Sequence, residues 1–465
     1  MKPTPRRAPN ARPFLAALLA LTPATLARAA DPAELERLVR QQQQQIEQLQ
    51  RKLGELERSG RLATPPSTTL QPPDPRLQTL ERRVEELQKA QAETAAKAGG
   101  PGSFPGSFKI PGTDTSIKIG GYVKLDAIYD FDDVGSEDLF VTGAIRTEGK
   151  NRSGRTRLHA RQSRLNVDVR KPTEYGDVRA FLEGDFFGAG GNQNVSNSTS
   201  FRLRHAYGEL GQFLAGQTWS TFMDISVVPD TLDFEGPNSE LFVRQGQLRW
   251  TQPLGEGLTV AFAIENPEGD FSGPNGDLNL DQLPDGVVRL RWEPSWGHLQ
   301  TAFLARDLRF DDGENEDEQF GYGLTLSGSL KLPFLHPKDK LAFQVNYGDG
   351  IGRYITDLGG GGFDARVDNQ GDLDSIEAFG VMVQGQHWWS DRWRSTLVYG
   401  YLTVDNASGA PGNTLESSQY VAANLVWSPV PSVDVGIEYL WGYLETENDR
   451  SGAANRIHAA VTWRF

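Results

Sequence analysis

Cysteine is absent from the 465 residues, and methionine and histidine are scarce, with 3 and 6 copies. The chain therefore has no disulfide, no thiolate nucleophile and no cysteine-ligated metal. No run reaches the roughly 18 to 20 apolar residues of a membrane-spanning helix, and the mean hydropathy is -0.48. The net charge of -14 argues against nucleic acid as a partner.

The last nine residues alternate strictly between apolar and polar side chains. Ile457, Ala459, Val461, Trp463 and Phe465 fall on one face, and His458, Ala460, Thr462 and Arg464 fall on the other. A period of two with an apolar outside and a polar inside is typical of a barrel strand between lipid and water. The edge strand of a soluble sandwich is the alternative for these residues alone. The aromatic end, with Trp463 and Phe465, resembles the signal by which the barrel-assembly machinery recognises outer-membrane barrels.

Residues 1–29 have the pattern of a secretory signal peptide. Lys2, Arg6, Arg7 and Arg12 precede an apolar run from Phe14 to Leu21, and Ala27-Arg28-Ala29 forms a small-x-small cleavage pattern. Such a segment is removed after export, so we expect a protein of the bacterial envelope. Frequent prolines oppose the alternative, an amphipathic soluble helix.

Residues 31–98 are predicted to form a coiled-coil region with a Pro-rich break from Thr64 to Pro75. The apolar positions step by four and three, first at Leu35, Val39, Gln42, Ile46, Leu49, Leu53 and Leu56, then at Leu77, Leu80, Val84 and Leu87. This spacing keeps one seam facing a partner helix and predicts oligomerisation. We expect a homotrimer, because the barrel would hold the strands together, and an even number of barrel strands would place the coiled coil in the periplasm. A solvated helical spacer is the alternative. Residues 99–107 are interpreted as a Gly/Pro linker.

Residues 108–465 contain sixteen alternating segments, and we predict a closed, antiparallel, all-β transmembrane barrel. Short turns, such as Lys171 to Gly176, alternate with mostly long polar connections, including 132–156, 188–200, 267–286, 311–319 and 349–375. Short periplasmic turns, long extracellular loops and an even strand count are the outer-membrane arrangement, wetted by lipid on its outer face. A soluble propeller would instead repeat every 40 to 50 residues or so, and the sequence has no such repeat.

The connection from Ser220 to Leu241 differs from the other loops because it is rich in apolar residues. These are interleaved with Asp224, Asp230, Asp233 and Glu235. A solvated loop seldom needs so many apolar side chains, so we expect this one to pack into the lumen as a constriction loop. A buried subunit-contact loop is the alternative.

Several arginines are predicted to line the pore along one sector of the wall. Strand phase sends their apolar neighbours to the lipid side, where a charge would cost about 2 to 4 kcal/mol, so the arginines must point inward. They are Arg164, Arg170, Arg179, Arg249, Arg289 and Arg291, joined with a less regular phase by Arg202 and Arg204. A basic wall lowers the barrier for anions. If loop carboxylates such as Asp230, Asp233 and Glu235 neutralise the arginines, a weakly selective general porin results.

Four stretches resemble the DcaP-like porins. They are Phe108 to Ser116, Ile119 to Asp126, Gly216 to Phe222 and Leu232 to Pro237. The resemblance covers the chain from about residue 31 and implies a signal peptide, a periplasmic coiled coil and a trimeric sixteen-stranded barrel in the outer membrane. It also implies uptake of small anionic solutes such as dicarboxylates.

No catalytic constellation competes with the porin interpretation, and no cofactor or metal is expected. The histidines at His159, His205, His298, His336, His387 and His458 lack ligand spacing or a catalytic motif. A barrel enzyme would need a His/Ser pair at the outer face, and only His205 is a faint candidate. A structural tether or adhesin that works through its coiled coil is the other alternative.

Deletion of residues 31–98 tests the role of the heptads. If they only reinforce a trimer that the barrel wall holds, the deletion leaves trimer and conductance intact and lowers thermal stability. Native gel electrophoresis and single-channel recording measure both. Complete loss of trimer would show that the coiled coil organises the assembly.

Overall fold

The computed structural model describes residues 100–149, 154–192, 194–273 and 279–465, with isolated residues of the amino-terminal region. Those isolated residues are helical and exposed: Gln44, Gln48, Arg51, Arg82, Glu85, Glu86 and Lys89. The predicted signal peptide, heptad seam and Pro-rich break lie outside the described residues. Among the described residues, no helix is both long and apolar enough to cross a membrane.

The chain divides into two compact units, Met1–Ser116 and Ile117–Phe465. In the first unit, the described stretch 100–116 folds through turns around the two-residue strand Phe108–Lys109. The Lys109 amide donates to the Gly100 carbonyl at 2.9 Å, and the Ile110 amide donates to the Thr115 carbonyl at 2.8 Å. Local backbone hydrogen bonds therefore order this stretch.

Sixteen antiparallel strands form one closed sheet, which confirms the predicted barrel. Strand β16 pairs with β1 from Tyr122–Arg464 to Asp130–Arg456, so the described wall has no free edge there. The strands are β1 Ser116–Asp130, β2 Arg155–His159 continued by Arg164–Thr173, β3 Gly176–Gly188, β4 Ser200–Leu210, β5 Phe213–Trp219, β6 Arg244–Gly255, β7 Leu258–Glu265, β8 Asp285–Trp292, β9 Gly297–Asp311, β10 Glu316–Lys331, β11 Lys340–Asp349, β12 Glu377–Ser390, β13 Trp393–Asp405, β14 Leu415–Val430, β15 Val433–Thr446 and β16 Ser451–Arg464.

One end of the barrel carries the longer connections, which we number in chain order as loops 1 to 8. Loops 1, 2, 3, 4 and 6 are residues 131–154, 189–199, 220–243, 266–284 and 350–376. The prediction of a longer loop at 311–319 is wrong, because β9 ends at Asp311 and β10 begins at Glu316. The Asp312 carboxylate accepts the amides of Glu314 at 2.9 Å and Asn315 at 2.7 Å, which closes a tight turn.

Strand β2 is interrupted at residues 160–163. The Ser163 amide donates a hydrogen bond to the Ala160 carbonyl at 3.0 Å, which closes a turn. On the neighbouring strand, the Lys124 amide donates to the Ser163 hydroxyl at 3.1 Å. A side chain thus satisfies a backbone donor that the sheet ladder leaves open.

A hydrophobic core lies inside the barrel and is built by loops. Loop 1 contributes Val134, Phe140 and Ile145; loop 3 contributes Phe222, Met223, Val227 and Leu241; loop 6 contributes Ile351, Tyr354, Ile355, Leu358 and Ile376. In the described part of the chain, the buried wall residues of this core come from β7 to β16 only. The inner surface of β2 to β6 instead carries charged residues such as Glu183, Asp185 and Arg204 beside aromatic ones such as Phe187.

Loops 4 and 6 are joined by a small sheet of Phe271–Ser272, Ala365–Val367 and Leu373–Ser375. Beneath this sheet, the fully buried Arg306 of β9 pairs with Asp285 at 3.2 Å and Asp364 at 2.8 Å. Two carboxylates around one guanidinium offset the cost of burying the charges. Loop 6 is thereby tied to the wall.

Candidate functional site

Loop 3 begins with an anchor on the wall at Asp224. One carboxylate oxygen accepts from Arg291 Nη1 at 3.0 Å. The other is 2.8 Å from His298 Nε2 and accepts from the Ser327 hydroxyl at 2.8 Å. Arg291 also donates to the Ser226 hydroxyl at 3.0 Å. Three wall strands therefore hold the first turn of the loop.

The pKa of Asp224 reflects this anchor. Burial alone raises the pKa, but the hydrogen bond with His298, its charge, the Ser327 hydroxyl and Arg291 outweigh burial and lower the value to about 2. A lowered carboxyl pKa contributes stability above the unfolded value of about 4 and loses it as the pH falls. The anchor therefore weakens only in acid.

The middle of loop 3 reaches the opposite wall. Asp230 accepts from Arg394 Nε of β13 at 2.6 Å. The amides of Leu232 and Asp233 both donate to the Glu438 carboxylate of β15 at 2.9 Å. These contacts lie across the barrel from β8 and β9, which hold Asp224, so loop 3 crosses the interior.

The returning arm of loop 3 pairs with loop 6. The Phe242 amide donates to the Tyr354 carbonyl at 3.0 Å, and the Thr356 amide donates to the Glu240 carbonyl at 2.9 Å. Asn346 of β11 adds a side-chain hydrogen bond to the Ser239 carbonyl at 2.9 Å. The arm is fixed by backbone bonds that a local sequence pattern does not reveal.

Most of the predicted pore-lining arginines pair with carboxylates of the wall itself. Arg170 and Arg179 share Asp168 at 2.8 and 3.0 Å. The remaining pairs are Arg179 with Glu209 at 3.0 Å, Arg202 with Asp185 at 2.9 Å, Arg204 with Glu183 at 2.9 Å and Asp185 at 3.0 Å, and Arg164 with Glu183 at 3.4 Å. Neighbouring strands thus neutralise these cations.

Of the loop 3 carboxylates predicted at the constriction, only Asp224 pairs with a predicted arginine, Arg291. Asp230 pairs with Arg394 at 2.6 Å, and Asp233 lies 3.6 Å from Arg456. Glu235 makes no side-chain hydrogen bond or ion pair among the described residues. The weakly selective alternative expected the loop 3 carboxylates to neutralise the predicted pore-lining arginines. Only the pair of Asp224 with Arg291 fits that expectation.

Among the described arginines of the sixteen barrel strands, three have no carboxylate partner: Arg244, Arg249 and Arg289. Arg244 Nη1 and Arg289 Nε are buried and donate to no acceptor among the described residues. Arg249 and Val287 lie opposite the same residue, Ala263, and Arg289 follows two residues after Val287. Arg249 and Arg289 thus stand close together on the wall.

Arg244 was missed by the sequence analysis. It lies five residues before Arg249, so strict alternation assigns it to the other face of β6. At the end of the strand it turns inward instead, with its guanidinium 4.7 Å from the Trp219 ring centre and 5.4 Å from that of Phe242. Its cross-strand pairing with Trp219 belongs to the fold and is not contained in the period of the sequence.

A vestibule of about 610 Å³ lies beside loop 3. We define it by its arginines and aromatic residues: Arg157, Arg161, Arg202, Arg244, Arg353, Phe187, Phe234 and Phe242. Arg202 lies 5.6 Å from the Phe187 ring centre and 5.4 Å from that of Phe234, within the range of cation–π attraction. Aromatic faces therefore support the guanidinium groups. Within the described ranges, no cluster of three or more His, Asp or Glu side chains could hold a metal ion.

The substitution Asp224→Asn tests the loop 3 anchor. It removes a buried charge, leaves His298 without its anion and leaves Arg291 with only the exposed Glu293, so we expect a loss of about 3 kcal/mol in stability. The variant should also lose the part of the wild-type stability that decreases as the pH falls, because the Asp224 carboxyl no longer titrates. The temperature at which the folded band unfolds on semi-native gels, measured at several pH values, reports both effects.

Asp391→Asn is the control. The Asp391 side chain is 90% exposed, and its substitution removes only a 3.9 Å contact with Lys338. An Asp224→Asn protein as stable as the control, with its loop 3 equally resistant to protease, would contradict the anchor.

The fold is shared with a solved outer-membrane channel. The structure of DcaP from Acinetobacter baumannii superposes with a TM-score of 0.64 and 22% identity, covering 76% of this chain and 97% of that one. Porin Omp2b of Brucella canis is 28% identical over 203 residues, and Porin Omp2b of Brucella melitensis is 26% identical over the same length. The alignment spans 42% of this chain and 52% of each porin, about half their length.

A family model gives the broader match. The model of the DcaP outer membrane protein matches residues 103–465, which include the whole barrel. The match contains all the wall arginines and loop 3. The chain belongs to the DcaP outer membrane protein family.

Proposed function

We propose that the protein is an anion-preferring channel for passive diffusion of small hydrophilic solutes across the outer membrane. The observation that carries this proposal is the trio Arg244, Arg249 and Arg289, which have no carboxylate partner among the described residues. The carboxylates that act on them electrostatically, Asp185, Glu209, Asp224 and Glu265, are engaged elsewhere. An entering anion is therefore the natural counter-charge.

The position of the three arginines supports a continuous path. Arg244 belongs to the vestibule, and Arg249 lies five residues further along β6, about 17 Å at a rise near 3.3 Å per residue. Arg289 has both Arg249 and Arg291 as electrostatic neighbours. An anion that leaves Arg244 thus meets a second basic region further along the wall, and successive sites of moderate strength allow passage.

The packed side of the barrel confines the solute to this wall. Loops 1, 3 and 6 build an apolar core against β7 to β16. Low-polarity surroundings weaken the screening of the arginine charges and strengthen their attraction for anions. Dicarboxylates are the solute class that the family resemblance implies.

A weakly selective channel is the second candidate. It is favoured by the pairing of Arg170, Arg179, Arg202 and Arg204 with carboxylates of the wall. In that case the paired charges cancel, and the three unpaired arginines contribute little at physiological salt.

The assembly and targeting inferences also belong to this proposal. We infer a homotrimer in the outer membrane, with residues 31–98 in the periplasm, inserted through the barrel-assembly machinery. Trp463 and Phe465 are 45% and 65% exposed, so the terminal aromatics present an open surface to a recognition partner.

Reversal potentials in a potassium chloride gradient test the selectivity. An anion within about 4 Å of one charge in water gains about 1 kcal/mol, so each of Arg244→Gln, Arg249→Gln and Arg289→Gln should lower the chloride-to-potassium permeability ratio by up to about fivefold. Uptake of small dicarboxylates into liposomes should slow in parallel. Lysine at the same positions keeps the charge and is the matched control.

The wild-type channel should prefer chloride, and the lysine variants should keep that preference. A wild-type preference for potassium would reject the anion channel. Glutamine variants with wild-type ratios would instead favour the weakly selective candidate.

A further inference from the structure

We propose that Glu235 of loop 3 is a titratable selectivity residue: its neutral carboxyl leaves the vestibule attractive to anions, and its ionisation lowers that attraction. This inference rests on the proposed channel function. It deepens that function by assigning the control of selectivity to one carboxyl group.

Glu235 lines the vestibule but is not paired there. The other two carboxylates that line it, Glu137 and Asp138, are both engaged by Arg157, at 2.9 and 2.8 Å. Asp138 also binds Arg161. Glu235, in contrast, has no side-chain hydrogen bond or ion pair among the described residues. Its charge state is therefore free to change the charge of the vestibule.

The groups behind Glu235 are acidic and come from three directions. Asp233 precedes it on loop 3, and Asp357 lies on loop 6, where it accepts the Gly143 amide at 2.8 Å and a hydrogen bond from Thr142. Glu240, on the returning arm of loop 3, is 1% exposed, and its Oε1 has no partner. An ionised Glu235 would be repelled by each of these groups when they are charged.

Most of the arginines around Glu235 bind other partners. Arg202 is the arginine that favours the ionised form, but it is held by Asp185 at 2.9 Å and by the rings of Phe187 and Phe234. Arg353 donates to Gln245 at 2.7 Å. Arg157 and Arg161 are bound to Asp138. Arg244 lines the same space without forming an ion pair to Glu235.

These surroundings fix the direction of the titration. Burial, together with repulsion from Asp357 and Asp233, raises the pKa of Glu235 to about 8, and Arg202 only partly opposes the shift. Burial raises the pKa of Asp357 to about 6, against hydrogen bonds from Thr142 and Gly143. Burial and the charge of Glu235 also raise the pKa of Glu240 well above its usual range. Asp357 thus ionises first, and Glu235 is neutral at neutral pH.

The consequence is a change of one negative charge among the guanidinium groups of the vestibule. Below about pH 7 the unpaired Arg244 faces a neutral carboxyl. Above about pH 9 an ionised Glu235 competes with the solute for the same cations. The anion preference of the channel should therefore fall as the pH rises.

Bilayer recordings of the purified full-length protein test this directly. The chloride-to-potassium permeability ratio is measured from the reversal potential between about pH 6 and pH 9.5. We expect a wild-type ratio that falls by about fivefold over this range, the effect of one charge at contact distance. Glu235→Gln should hold the acidic value throughout, and Glu235→Asp should restore a titration.

Glu137→Gln is the matched control, because it removes a carboxyl of the same vestibule that Arg157 already pairs. It should keep the alkaline fall. A flat wild-type profile, or a fall that persists in Glu235→Gln, overturns the inference. A wild-type preference for potassium at pH 6 would refute the anion channel alone, since the pH dependence of wild type against Glu235→Gln still decides the role of Glu235.

Discussion

The closure of β16 onto β1 is the constraint on which the rest of the structure depends. Lipid offers no hydrogen bonds, so every backbone group of the wall needs a partner within the sheet. Nine consecutive residue pairs, from Tyr122–Arg464 to Asp130–Arg456, complete that pairing. Because the closed wall must alternate lipid-facing and inward-facing residues, the inner surface is free to carry charge.

The interior is divided by what fills it. Loops 1, 3 and 6 cover the inner face of β7 to β16 with apolar side chains. On the remaining wall, ion pairs such as Arg204 with Glu183 offset the cost of removing charges from water. Only a few cations are left without that compensation. In the proposed function, selectivity therefore arises at the wall arginines that no carboxylate neutralises.

The strands and their inward arginines could be predicted because both depend on a local period of two. Arg170 and Arg179 both pair with Asp168, as expected of side chains on one face of the sheet. Arg244 escapes the rule because it begins β6, where the chain leaves loop 3 and the alternation does not yet fix a side-chain direction. Its interior position depends on Trp219, 25 residues earlier, which pairs with it across strands.

The contacts of loop 3 could not be predicted either, because they join distant parts of the chain. Asp224 meets His298 74 residues away, and the Leu232 amide meets Glu438 206 residues away. An apolar loop rich in carboxylates indicates packing but not its partners. Which wall residue receives each carboxylate follows from the path of the loop across the barrel, and that path is a property of the assembled fold.

The interruption of β2 has a consequence for the motions of the wall. At residues 160–163 the regular ladder is replaced by a turn and by the hydroxyl of Ser163, whereas β1 pairs with β16 without a break over nine residue pairs. Amide protons are released to solvent through local opening, which begins where the fewest backbone bonds must break. Deuterium should therefore enter the wall first around this turn and spread from it along β1 and β2, while the sheet from β9 to β15 exchanges last.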